Sequence, residues 1–265
     1  MNYFDSNKEA WEEAFDKRAP GWGEDIITRV QRESYPFFVE DMVAVLKGHD
    51  FSGKVLAQFC CNNGRELLSL VKSSCARLGY GFDIAENQVS FANRQAQALK
   101  LNCLFKATNI MDIGAGFYET FDALIITIGA LCWFKDLNAF FEKVAACLKN
   151  GGVLIINEQH PMTHMLGLPG EENYHEACPT NLVNPYFFKE WLETDGMFYM
   201  TQQHYPSKTF VNYSHAFSEI INAMCKAGLS IKALHEYDYD ISESFSALEH
   251  KGLPLSYILE AQKGQ

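Results

Sequence analysis

VLAQFCCNNGRELLSL, residues 55–70, is the stretch that decides the fold of this chain. The apolar run at 55–59 predicts a buried β-strand, and the spacing of apolar residues along 65–71 predicts an amphipathic helix. A tight polar turn lies between them. A dinucleotide needs the pattern Gly-x-Gly-x-x-Gly at such a turn, because the main chain must approach the pyrophosphate closely. Only Gly64 of that pattern is present, so the turn is built for a different ligand or for none.

Strands and helices alternate along most of the chain. FDALIITIG, residues 121–129, is continuously apolar, as is typical of a parallel strand buried on both faces. This alternation predicts an α/β fold with a doubly wound, parallel sheet. The predicted strands are at about 54–60, 76–83, 102–106, 121–129, 153–158, 229–237 and 255–263.

The alternation stops twice. Residues 1–50 predict broken helices that form an N-terminal helical cap. Residues 161–213 are rich in proline, glycine, asparagine and aromatic residues and are too long for a simple connection, which predicts an inserted lid over the substrate. The ligand-binding core is then 51–160 together with 214–265.

Composition limits the class of partner. The chain has 265 residues and a formal charge of −11, which disfavours nucleic acid. No run of 18 apolar residues predicts a membrane span. The 8 cysteines lie mostly in apolar runs without a Cys-x-x-Cys pair, which disfavours disulfides and structural zinc and favours the cytoplasm. These features predict a cytoplasmic protein that acts on a small molecule, as a monomer or a homodimer.

The residues of the turn indicate the ligand. Ligands of open parallel sheets bind beyond the carboxyl ends of the strands. Cys60, Asn62 and Asn63 would crowd a pyrophosphate at this position. S-adenosylmethionine carries a ribose and an amino-acid tail but no phosphate, and it therefore relaxes the need for glycine.

Four residues further along the chain fit the same ligand. Asp83 ends the second predicted strand, where its carboxylate would accept hydrogen bonds from both ribose hydroxyls. Ile84 follows it and would pack on the adenine face. Asn109 and the backbone N–H of Ile110, after the third strand, would bind the adenine edge.

Taken with these residues, the chain resembles the class I S-adenosylmethionine-dependent methyltransferases. The first motif of that family, Asp/Glu-x-Gly-x-Gly-x-Gly, falls on residues 58–64, and more narrowly the chain is similar to a bacterial group of small-molecule methyltransferases. Matching segments follow in the same order: Ile128–Trp133, Leu148–Gly152, Glu158–Pro161, Ser218–Ala223 and Leu253–Tyr257.

The resemblance implies a seven-stranded, mostly parallel sheet with an antiparallel last strand. It also implies S-adenosylmethionine as cofactor. Gln58 stands where the family usually has an acidic residue that helps hold the methionine ammonium. The implied cofactor-binding residues are Gln58, Cys60, Asn62, Gly64, Asp83, Ile84, Asn109, Ile110, Thr127 and Ile128.

Candidates for chemistry lie near the fourth and fifth strands. His160 directly follows the fifth strand, and a histidine there would accept a proton from a substrate hydroxyl or amine. Trp133 and His215 are candidate substrate contacts together with His160. His160 and His164 have the spacing of a metal pair, but Pro161 interrupts a continuous helix and the glutamate of that motif is absent, so no metal is predicted.

These features predict methyl transfer from S-adenosylmethionine to an oxygen or nitrogen of a small molecule. Two alternatives stay open at this point. One is an NAD(P)-dependent oxidoreductase, which would share the turn and Asp83. The other is a regulatory protein that binds S-adenosylmethionine without catalysis.

Overall fold

The structure is a computed structural model that describes residues 2–168, 173–187 and 190–264. Three helices precede the first strand, and strands and helices then alternate. The helices are α1 Tyr3–Asp16, α2 Ile26–Arg32, α3 Glu40–Lys47, α4 Arg65–Ser74, α5 Glu86–Leu99, α6 Leu137–Cys147, α7 Phe198–Thr201 and α8 Phe217–Lys226. The strands are β1 Val55–Phe59, β2 Leu78–Asp83, β3 Cys103–Ala107, β4 Phe121–Thr127, β5 Leu148–Gln159, β6 Trp191–Glu193, β7 Phe210–Asn212, β8 Leu229–Tyr237 and β9 Ser256–Lys263.

Seven of these strands form one sheet in the order β3-β2-β1-β4-β5-β9-β8. Neighbouring strands from β3 to β5 pair in parallel, whereas β9 runs antiparallel to both β5 and β8. The predicted doubly wound, mostly parallel sheet with an antiparallel last strand is therefore confirmed. The strand order reverses between β1 and β4, and this reversal opens a crevice at the carboxyl ends of the strands.

Side chains alternate between the two faces of the sheet and build two apolar cores. On one face β1 contributes Leu56, which packs with buried residues of α1 to α5. On the other face Phe59 packs with buried residues of α6 and α8. Helices cover both faces, as a parallel sheet requires.

One strand begins earlier than the sequence predicts, and one helix begins where a side chain caps it. β5 begins at Leu148, five residues before the predicted start, because Gly151 adopts φ +77° and lets the chain turn within the paired segment. Helix α8 begins at Phe217, since the carboxylate of Glu219 accepts the N–H of Ala216 and caps the helix there.

The inserted segment carries the small sheet of β6 and β7, which pair antiparallel. Residues 169–172 and 188–189 of the insertion lie outside the described part of the chain. In the part that the structure describes, no helix is long and apolar enough to cross a membrane.

Candidate functional site

The turn after β1 has the backbone conformation of a glycine-rich loop, although two of its three residues with positive φ are not glycine. Cys60, Asn62 and Gly64 have φ values of +54°, +48° and +79°. All three lie in the left-handed region, which glycine adopts without strain and other residues adopt rarely. Cys60 and Asn62 thus preserve the path of the main chain that glycines provide in the family motif.

Gly64 is required for packing as well as for conformation. A Cβ at this position would lie 2.6 Å from the ring of Phe105 and 2.9 Å from Cβ of Ala92. Helix α4 begins directly after Gly64, so its first backbone N–H groups have no partner within the helix and face the crevice. A polar ligand at the turn would meet these N–H groups.

Asp83 ties the end of β2 to this turn. Its Oδ2 accepts the backbone N–H of Asn62 at 2.7 Å, and its Oδ1 accepts that of Ala85 at 3.0 Å. A carboxylate has about four acceptor positions, so acceptor capacity remains on each oxygen for a diol. Burial raises the pKa of Asp83, and the backbone N–H bonds partly offset that rise.

Gln58 has a buried polar atom without a partner. Its side chain is 1% exposed, and its Nε2 donates to Oγ1 of Thr127 at 2.8 Å. Among the residues that the structure describes, its Oε1 has no hydrogen-bond partner. An orphaned buried acceptor is costly unless a ligand supplies a donor.

The other predicted cofactor residues lie near the same edge of the sheet, but several have structural partners. Oδ1 of Asn109 accepts the N–H of Met111 and caps a short 3-10 turn that begins at Ile110. The Ile110 side chain belongs to the apolar core. Ile84 follows Asp83 and is partly buried, and the N–H of Ile128 donates to Asn157 of β5.

The electrostatic environment of the turn is negative. Burial raises the pKa of the Cys60 thiol well above its usual value, and the nearby carboxylates of Asp83 and Glu158 raise it further. Oε1 and Oε2 of Glu158 accept the N–H groups of residues 129–131, in the loop after β4. This setting suits a cationic ligand and repels a pyrophosphate.

Aromatic rings cover the crevice from the N-terminal helices and the insertion. Trp11 of α1 lies 5.3 Å from Trp133, 5.4 Å from Phe210 and 6.4 Å from Tyr199, measured between ring centroids. Oη of Tyr199 is 2.9 Å from Nδ2 of Asn62, so the insertion contacts the turn directly. We call Trp11, Trp133, Tyr199 and Phe210 the aromatic roof.

Trp133, a predicted substrate contact, is therefore part of this roof. Trp11, Tyr199 and Phe210 are not among the site residues that the sequence analysis predicts. Their only sequence signal is the aromatic content of the N-terminal segment and of the insertion.

His160 is held on both ring nitrogens. Nδ1 accepts the N–H of Met162 at 3.1 Å, and Nε2 lies 2.8 Å from Oε1 of Glu236. Burial lowers the pKa of His160, while Glu236 acts in the opposite direction. For His160 to accept a proton from a substrate, one of these two contacts has to open.

His215 is buried, and its Nε2 lies 2.8 Å from the carbonyl oxygen of Phe134. The ring is thus engaged with the loop after β4. Among the described residues, no group of three or more histidine, cysteine, aspartate or glutamate side chains is arranged to hold a metal ion.

Comparison with known proteins agrees with this architecture. Residues 56–152 match the family model described as a methyltransferase domain. No curated protein sequence matches the chain.

Solved structures with this fold include several methyltransferases. An S-adenosylmethionine-dependent methyltransferase from Mesorhizobium loti is 16% identical, with a TM-score of 0.60 over 83% of this chain and 96% of that one. One from Clostridium acetobutylicum is 14% identical, with a TM-score of 0.58 over 91% and 96%. Geranyl diphosphate C-methyltransferase from Streptomyces coelicolor A3(2) is 13% identical, with a TM-score of 0.62 over 99% and 98%. At these identities the likeness establishes the fold.

The matched domain and the strand order define the class of protein: a methyltransferase with a Rossmann-like core. Residues 56–152 form a methyltransferase domain whose fold is shared with solved S-adenosylmethionine-dependent methyltransferases, and its cofactor is S-adenosylmethionine. The nicotinamide alternative and the purely regulatory alternative lose their support with this match. The residues present also fit the cofactor, since Gln58 offers an orphaned buried acceptor and Asp83 keeps acceptor capacity beside the turn.

Proposed function

We propose that the chain transfers the methyl group to an oxygen or nitrogen of a small, neutral molecule. The single observation that carries the proposal is the aromatic roof, whose rings pack together beside the turn after β1 and the loop after β4. Rings from α1, the loop after β4 and the insertion meet there. A macromolecular acceptor would have to displace this cover.

We also propose which residues hold the cofactor. Asp83 would accept from the ribose hydroxyls, and the ammonium would donate to Oε1 of Gln58. Asn62 and the N–H groups at the start of α4 would bind the remaining polar groups of the amino-acid tail. Cys60, Gly64, Ile84, Asn109, Ile110, Thr127 and Ile128 complete the predicted set.

The cofactor, when bound, supplies an activated methyl group on a positively charged sulfur. The chain's own residues then have to orient the acceptor and exclude water. Alignment of two reactants can contribute roughly 7–11 kcal/mol in favourable cases. The negative charges of Asp83 and Glu158 favour the positively charged cofactor over its neutral product, which helps product release.

His160 stays a candidate for the acceptor side of the site. Its ring caps the 3-10 turn Pro161–Met165, so it also positions that turn. We expect His160→Ala to lower turnover and to leave the affinity for S-adenosylmethionine within about twofold. An unchanged turnover on the true acceptor would remove His160 from the reaction.

The experiment that tests the proposed function is an assay of S-adenosylhomocysteine release by the purified protein. The acceptors are small phenols, small amines, unfolded casein and bulk tRNA. Release with a small molecule alone is the expected result. Release with casein or tRNA, and not with any small molecule, would overturn the proposal.

A further inference from the structure

Glu158, at the end of β5, is a buried carboxylate that bonds to backbone N–H groups of the loop after β4. Its side chain belongs to a residue that is 4% exposed. Its Oε2 accepts the N–H of Gly129 at 2.6 Å, and its Oε1 accepts those of Ala130 at 2.6 Å and Leu131 at 3.1 Å. A buried carboxylate is costly without such bonds, so the side chain and the loop stabilise each other.

The loop that Glu158 holds carries Trp133 of the aromatic roof. Leu131–Trp133 form a 3-10 turn, which begins at the residues bonded to the carboxylate. The first N–H groups of a helical turn have no partner within it, and here a side chain of the neighbouring strand supplies one. The indole at the end of this turn lies 5.3 Å from that of Trp11, between ring centroids. The carboxylate thus fixes the backbone from which a roof ring projects.

The same loop is bonded to the insertion on its other side. The N–H of Tyr213, which follows β7, donates to the carbonyl oxygen of Cys132 at 2.8 Å. The ring of Phe210 in β7 lies 5.9 Å from that of Trp133. The loop is therefore the connection between the sheet, which bonds it through Glu158, and the insertion, which contributes rings to the roof.

We propose that Glu158 is a positioning residue of the methyl-transfer site, which holds Trp133 in the aromatic roof through the N–H groups of residues 129–131. A carboxylate suits this role because both of its oxygens accept and neither donates. Hydrogen bonds to an ionised acceptor are also stronger than those to a neutral one. The roof covers the crevice in which the cofactor binds, so this role is independent of the acceptor.

Two variants separate position from charge. Glu158→Gln keeps the length of the side chain but replaces one acceptor oxygen by an amide group that donates, which opposes a backbone N–H. Glu158→Asp keeps the negative charge but is one methylene shorter, so its carboxylate is withdrawn from the loop. A positioning role predicts that both variants loosen the roof. A role of the charge alone predicts an effect of Glu158→Gln only.

The test measures the release of labelled S-adenosylmethionine from the protein, chased with an excess of unlabelled cofactor. We expect each Glu158 variant to raise the dissociation rate about tenfold. In a Trp133→Leu background the same substitutions should raise it less than about threefold, because the ring through which Glu158 acts is already missing. Asp122→Asn is the matched control, since the carboxylate of Asp122 also accepts a backbone N–H of a neighbouring strand, that of Val55 at the start of β1. It should leave the dissociation rate unchanged.

A fluorine label reports on the roof directly. The chain has 4 tryptophans, so protein grown with 5-fluorotryptophan gives a simple ¹⁹F spectrum, in which Trp133→Leu identifies one signal. Both Glu158 variants should shift or broaden this signal and leave that of Trp22 in place. A role of Glu158 in stability alone would leave the Trp133 signal of the folded variants as it is in the wild type.

Several results would overturn the proposal. They are wild-type release from both Glu158 variants in proteins that melt cooperatively, faster release from Glu158→Gln alone, and equal increases with and without Trp133. If neither variant folds, amide hydrogen exchange of the wild type decides: the N–H groups of residues 129–131 should be protected, and exchange at the rate of free amides contradicts the proposal. A wild type that does not bind S-adenosylmethionine would refute the cofactor site itself, and the role of Glu158 with it.

Discussion

Cys60 adopts a left-handed backbone conformation. Glycine adopts this conformation without strain, but a residue with a side chain does not. The left-handed region costs roughly 1–2 kcal/mol for an ordinary residue. Asn62 adopts this conformation at a lower cost than Cys60, because the short polar side chain of asparagine can form local hydrogen bonds there. Strain of this kind is often found at functional sites, where the surrounding structure holds it in place.

This strain gives a prediction at Cys60. Cys60→Gly should retain the melting temperature and the affinity for S-adenosylmethionine, because glycine suits φ +54°. Cys60→Val should lower the free energy of unfolding by about 2 kcal/mol, because a β-branched residue is an outlier there. Chemical denaturation measures both changes. Cys225→Val, at an exposed position on α8, is the control. Equal stability of the valine and glycine variants would contradict the account.

Other single residues show which parts of the candidate site could be predicted from the sequence and which could not. The place of Asp83 was predictable, because an acidic residue after an apolar strand falls at the ligand edge of a parallel sheet. The pairing of both ring nitrogens of His160 was not predictable, since it depends on Met162 and on Glu236, and only the folded chain brings Glu236 to His160.

Between elements, the decisive contact joins the insertion to the turn after β1. Tyr199 and Asn62 are 137 residues apart in sequence, and no sequence pattern at either residue predicts their contact. Local periodicity predicted most strands and helix α4, because burial on a sheet imposes it. It did not predict this contact, which depends on how the insertion folds back.

The Tyr199 contact can be removed with little change in shape. Tyr199→Phe deletes the hydroxyl that bonds Asn62, which is worth about 1 kcal/mol. We expect the dissociation rate of S-adenosylmethionine to rise roughly fivefold, as the insertion no longer bonds the turn. Stopped-flow fluorescence of the roof tryptophans measures the rate. Tyr174→Phe, elsewhere in the insertion, should leave it unchanged, and an unchanged rate in Tyr199→Phe would contradict the prediction.

A second contact between elements predicts a pH dependence of stability. Asp122 of β4 accepts from Nζ of Lys149 and from the N–H of Val55, both at 2.8 Å. Burial acts to raise the pKa of Asp122, but these bonds outweigh it and the pKa is lowered. The lowered pKa gives stability that is present above the unfolded pKa near ~3.9 and lost as pH falls through the folded pKa.

Asp122→Asn should therefore lower the free energy of unfolding by about 1 kcal/mol at pH 7. The difference from the wild type should shrink as the pH falls below about 4. Urea unfolding at several pH values measures it, and Glu142→Gln on the exposed side of α6 is the control. A difference that stays constant down to pH 2 would show that the carboxylate charge is not the cause.

On the scale of the whole molecule, the sheet positions the residues of the candidate site. The N-terminal helices and the insertion determine which molecules reach that site. The reversal of strand order between β1 and β4 places the turn, Asp83 and Gln58 at one edge. The N-terminal helices and the insertion then cover that edge with aromatic rings. The sequence predicted the sheet in full and the cover only as two segments of different composition, because irregular segments carry no period to follow.

The central claim is that the turn at residues 60–64, tied to Asp83, holds S-adenosylmethionine. The most direct measurement is calorimetric titration of S-adenosylmethionine into the wild type and into Asp83→Ala, with Glu142→Ala as a control for a lost surface charge. The account predicts binding to the wild type and the control, and no measurable binding to Asp83→Ala in a variant that still melts cooperatively. Equal affinity of the wild type and Asp83→Ala would contradict it.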